Sequence, residues 1–137
     1  HRQSSAASDV YKRQALRDMI PSERLKLFLE KGIIEIAPLA FMRGRTLDNA
    51  FVILDEAQNT SHSQMKMFLT RMGMNAKFLI NGDPGQVDLP RKSISGLKEA
   101  LRILKRVDGI GIVTLNQSDI IRHNVVKKII TAYEKIK

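Results

Sequence analysis

The sequence has no cysteine and no tryptophan, and aromatic residues make up only 5% of its 137 positions. Without cysteine there are no disulfides and no thiolate zinc sites. The scarcity of aromatic rings argues against base stacking as a main way of holding nucleic acid, because stacking platforms need exposed ring faces. No uninterrupted apolar run approaches the roughly 20 residues that a membrane-crossing helix needs. The opening residues HRQSSAASDVYKRQ lack the apolar middle of a secretory signal. There is no nucleophile elbow, and His62 and His123 have no metal-ligand partner at useful spacing. Together these features set the expectation of a soluble, cytoplasmic protein with no membrane partner.

What is present is an ordinary globular composition, 43% apolar, with a formal net charge of +9 and a pI near 10.1. One domain of this length can bury a core. A balance this basic favours polyanions such as RNA, DNA or nucleotides. With so few rings, any RNA would be held through its phosphates, and its affinity would fall steeply with salt.

Residues 1–14 show no apolar period and begin with His rather than Met, so they read as an appended or disordered leader, with residues 15–137 as the domain. Beyond them the pattern alternates. Pro21 and Ser22 open a helix carrying Leu25, Phe28 and Leu29 on one face, with Gly32 as its stop. Residues 33–37 form a β-branched run, a candidate strand. Phe51–Leu54 reads as a buried parallel strand. Ser61 starts a helix with Met65, Phe68, Leu69 and Met72 inward. Phe78–Ile80 is the next strand, closed by the turn residues Asn81-Gly82-Asp83-Pro84-Gly85. Ser95 caps a helix running to Arg106, residues 110–115 form another strand, and Ser118 caps a last helix striped with Val125, Val126, Ile129, Ile130 and Tyr133. About four strands alternating with helices predict an α/β fold, a parallel sheet with flanking helices. Ligands in such sheets sit at the carboxyl ends of the strands.

Two strand ends carry chemistry. The first is DEAQN, where an apolar strand delivers Asp55 and Glu56. Adjacent carboxylates there suit metal-dependent phosphate chemistry: Asp55 can hold Mg²⁺ directly or through water, and Glu56 can orient and deprotonate an attacking water. Gln58 would then sense the phosphate or couple it to motion. Two acids before a helix N-terminus can equally be simple dipole partners. The second is NGDPGQ, in which the Gln86 amide can donate to a terminal phosphate oxygen and Asp83 can order the loop. Alone it could be a plain turn, but beside DEAQN in the preceding unit it is far more specific.

These residues carry a resemblance. The strings IIEIAPLAFMRGRTLDNAFVILDEAQN, QMKMFLTRMG, NGDPGQVDLPR with the following SGL, and IIRHNVV together resemble the C-terminal portion of the PhoH-like ATPase family, over nearly all of the chain except the leader. The resemblance implies a RecA-like P-loop NTPase core of the superfamily 1 helicase type, truncated at the N-terminus, with ATP and Mg²⁺ as cofactors. It places Asp55 and Glu56 as Walker B acids, and Gly82, Asp83 and Gln86 in a phosphate-sensing motif. It also implies a link to RNA metabolism and a ring-like homo-oligomer. Two departures stand out. No Gly-Lys-Ser or Gly-Lys-Thr occurs, so the phosphate-cradling loop G-x-x-x-x-G-K-[ST] is missing. Asn124 also stands after Arg122-His123, where the family usually has proline. The expectation is that a parent protein hydrolyses ATP while this segment alone binds it poorly. The alternative is a non-catalytic RNA-binding or oligomer-assembly module.

Arg43, Arg45, Arg91 and Arg122 are candidates for phosphate contact or for an arginine finger, because guanidinium forks suit anions. Arg91 and Arg122 are preferred, since the resemblance puts them in motif context.

Overall fold

A computed structural model describes residues 2–90 and 93–136, with side chains from residue 9 onward. The chain divides into two units, His1–Arg102 and Ile103–Lys137.

The first unit opens with two helices, α1 (Arg2–Met19) and α2 (Ser22–Glu30). Helix α1 runs through the segment read as a leader. Pro21 sits just ahead of α2, where its missing N–H costs nothing. Leu25 on α2 is buried, and Gly32 leaves the helix at φ +69° as expected. Two strands follow, β1 (Phe51–Leu54) and β2 (Lys77–Ile80), paired in parallel with Leu54 opposite Ile80. The crossover between them contains α3 (His62–Leu69). Ser61 caps α3 through a full capping box, its hydroxyl accepting from the Gln64 N–H while the Gln64 side chain accepts from the Ser61 N–H. Helix α4 (Gly96–Ile103) follows β2.

The core lies between one sheet face and these two helices. Ala57, Met65 and Leu97 are buried, with Leu54, Leu69, Ile80, Ala100 and Leu101 packed around them. Phe68 of α3 meets Phe78 of β2 with ring centroids 5.1 Å apart. On the other face Phe51 and Ile53 stand 65% and 58% exposed. The strands therefore alternate instead of being buried on both sides as the apolar run suggested, because α3 and α4 pack against one face only.

At the opposite end of the strands the chain closes on itself. The Asp48 carboxylate accepts from the Met74 N–H at 2.7 Å, and Asn49 and Asn75, both left-handed, join side chain to side chain at 3.0 Å. Gly73 stays slim here because a Cβ would overlap Asp48.

The second unit contains a short 3₁₀ turn, Gln117–Asp119, and helix α5 (Asn124–Glu134). His123, not Ser118, caps α5: its Nδ1 accepts from the Val125 N–H at 3.1 Å, while Ser118 sits inside the 3₁₀ turn. Residues 33–37 and 110–115 are not strands. A β-branched run becomes a strand only where a neighbouring ladder takes up its backbone groups, and among the described residues the sheet has two strands. Among the described residues no helix is long and apolar enough to cross a membrane.

Candidate functional site

The parallel pairing puts the carboxyl ends of β1 and β2 side by side, separated by the strand spacing of roughly 4.8 Å. Asp55 continues the line of β1 and is half-buried. Glu56 then turns the chain sharply with φ 54° and ψ 39°, a left-handed conformation that costs a residue with a Cβ roughly 1–2 kcal/mol. Its side chain is exposed. The turn leads into a 3₁₀ segment, Ala57–Asn59, in which Ala57 and Gln58 are buried.

Hydrogen bonds lock the two loops together and offset that strain. The Asn81 N–H donates to the Leu54 carbonyl at 2.9 Å, and the Ala57 N–H donates to the Asn81 carbonyl at 2.9 Å. The Gln58 carboxamide donates to Glu56 Oε2 at 2.6 Å and accepts from the Asp83 N–H at 3.1 Å. Asn59 Oδ1 accepts from the Asp88 N–H at 2.8 Å. Gly82 lies so close to Gln58 that an added Cβ would come within 2.8 Å of its Oε1. Asp83 orders its own loop, accepting the Gly85 N–H on Oδ1 and the Gln86 N–H on its carbonyl. That is a turn with Pro84 at its second position, where a fixed φ suits it.

A third segment supports the pair from behind. The buried Ser95 hydroxyl donates to the Gln58 carbonyl at 2.8 Å, and the Gly96 N–H donates to the Thr60 carbonyl at 2.6 Å. The Thr60 hydroxyl donates to the Ala57 carbonyl at 2.7 Å. Among the described residues no buried side-chain polar atom lacks a partner. A fully satisfied buried network of this kind favours one loop arrangement over its competitors.

The DEAQN and NGDPGQ loops thus share one edge of the sheet and touch. Among the described residues, no hydrogen bond or ion pair engages the Asp55 carboxylate, and Gln86 has an exposed side chain. No group of three or more Asp, Glu or His side chains gathers among the described residues. Mg²⁺ fits such a site, because it takes one or two carboxylates and keeps waters and phosphate oxygens.

Arg43 and Arg45 belong to the first unit. Arg45 is held by Glu35 in a two-point pair at 2.8 and 2.9 Å, which keeps the Glu35 carboxyl below its ordinary range and raises Arg45. Arg43 is exposed. Arg122 belongs to the second unit, one residue before the α5 cap, and Arg91 lies outside the described residues. His62 pairs with Glu99 at 2.8 Å, and His123 caps α5. From the sequence Ser95 reads only as a helix cap, and Asn59 and Gly96 carry no separate signal. Their places in the network depend on partners 29 to 37 residues away, which local spacing does not reveal.

Comparison with known proteins gives the family. The family described as PhoH-like protein matches residues 5–134. The PhoH-like protein of Bacillus subtilis is 56% identical over 121 residues, 88% of this chain and 38% of that relative. The PhoH-like protein of Synechocystis sp. is 52% identical over 121 residues, covering 88% and 37%. Protein PhoH of Escherichia coli is 50% identical over 104 residues, covering 76% and 29%. The chain spans roughly a third of the length of these relatives. On the extent of the family match and these identities, the chain belongs to the PhoH-like protein family.

Proposed function

We propose that the joined loops at the tips of β1 and β2 are the metal and water-activating half of an ATP site, within a RecA-like P-loop NTPase core of the superfamily 1 helicase type. One observation supports the reading: Asp55 and Glu56 directly follow β1, and the loop after the neighbouring strand β2, the loop that contains Gln86, is hydrogen-bonded to theirs. In this reading the Asp55 carboxylate holds Mg²⁺, which when bound would neutralise charge on the phosphate oxygens. Among the described residues only Oε2 of the exposed Glu56 carboxylate is bonded, and in this reading Oε1 orients a water and takes its proton. The Gln86 amide donates to the terminal phosphate. Gly82 and Asp83 shape that loop, and Arg91 and Arg122 are the arginines proposed to meet phosphate or to act as a finger. The intact protein would be a cytoplasmic ATPase acting in RNA metabolism and forming a homo-oligomeric ring. RNA is supported by the net charge of +9 and would be held by phosphate contacts.

The same charge, with no G-x-x-x-x-G-K-[ST] motif in these 137 residues, favours a second reading, a non-catalytic module that holds RNA or sister subunits. A nucleotide titration separates the two. These 137 residues alone should bind ATP weakly, and a longer protein with a phosphate loop upstream should bind it about micromolar or better. Micromolar binding by these residues alone, or no gain in the longer protein, would contradict the proposed division of the site.

A further inference from the structure

The Gln58 side chain has both polar atoms engaged inside the protein. The residue is 2% exposed. Its Nε2 donates to Glu56 Oε2, its Oε1 accepts from the Asp83 N–H, and its main-chain carbonyl accepts from Ser95. The orientation of the amide is dictated by its neighbours. A carboxylate only accepts and a backbone N–H only donates, so the reversed amide would set like against like at both ends. A group enclosed in this way is placed to tie the two loops together, with neither polar atom of its side chain left over for a nucleotide.

Resting on the ATP-site reading above, we propose that Gln58 is a positioning residue whose carboxamide ties the Glu56 carboxylate to the loop of Asp83, so that displacement of that loop by nucleotide carries the carboxylate with it. Among the described residues the acidic groups on the two loops are Asp55, Glu56, Asp83 and Asp88. Asp83 is turned toward the Gly85 N–H, and Ser95 and Leu97, which pack behind, carry no charge.

The test uses the full-length protein with Gln58→Met and Gln58→Glu. In the Met variant kcat should fall roughly tenfold to a hundredfold with KM within about threefold, since a small misplacement of a reacting group costs that much. In the Glu variant kcat should be low at about pH 8 and recover toward about pH 6, because a protonated carboxyl can still donate to Glu56 and accept from Asp83, whereas two facing carboxylates repel. A merely structural role predicts a pH profile parallel to the wild type. That parallel profile, or an undiminished kcat in the Met variant, would overturn the proposal. Amide exchange at Asp83 reads the link without ATP. Relative to the intrinsic rate, exchange should be slow in the wild type, at least about tenfold faster in the Met variant, and slow again in the Glu variant at about pH 6. If the wild type hydrolyses no ATP, the site reading fails while the exchange pattern still decides the link, and unchanged exchange overturns it. If the Met variant does not fold, the Glu variant compared with itself at the two pH values carries the same decision.

Discussion

Gly82→Ala should loosen the join between the two loops, and the cost can be worked from the surroundings. An added Cβ would stand 2.6 Å from Leu97 Cδ2, 2.8 Å from Gln58 Oε1 and 3.1 Å from the Gln58 backbone nitrogen. Leu97 is in the core and the Gln58 nitrogen is main chain, so neither yields freely. Overpacking of this kind costs about 1–3 kcal/mol. Should the Gln58 side chain retreat, the Asp83 N–H loses its partner, adding about 1 kcal/mol. The sum is about 2–4 kcal/mol. Gly85→Ala is the matched control: among the described residues its Cβ would meet only Asp83 Oδ1, at 3.2 Å on the surface, and it should change stability by less than about 1 kcal/mol. Urea unfolding of the full-length protein and both variants, followed by circular dichroism at a common m-value, measures the difference. A Gly82 variant within about 0.5 kcal/mol of the Gly85 variant would refute the close-approach reasoning.

Two other perturbations probe the frame. Ser61→Ala removes one half of the α3 capping box and should cost about 1 kcal/mol in the same assay, and a neutral result would mean that tertiary packing alone holds the start of α3. Arg45 holds the Glu35 carboxyl below its usual range, so the pair contributes above the ordinary glutamate pKa, and that contribution is lost as pH falls through the depressed value. Glu35→Gln should therefore narrow its stability gap to the wild type as melts are run at progressively lower pH. The effect should be small, because the pair is exposed, and a gap constant with pH would contradict it.

Local chemistry was legible in the sequence wherever a signal and its partner are close along the chain. Ser61 announces the start of α3, Gly32 the end of α2, and the apolar runs the two strands whose tips carry Asp55 and Asp83. The strand runs at 33–37 and 110–115 had the right residue types but no neighbouring ladder, and strand formation depends on that neighbour. The face carrying Phe51 and Ile53 was misjudged for a similar reason, since burial is decided by which helices pack where. At the site, the residue types and their shared sheet edge could be read from alternating strands and helices. The Gln58 bridge could not, because its amide meets a main-chain N–H 25 residues away, and neither composition nor periodicity records such a contact.

The most direct test of the ATP-site account is ATP binding and hydrolysis by full-length Glu56→Gln. Turnover should fall by at least roughly a hundredfold with ATP affinity within about threefold of the wild type, as expected when a proton acceptor is lost and the binding groups remain. Undiminished hydrolysis in this variant would remove Glu56 from its assigned role and, with it, the chemistry proposed for the joined loops.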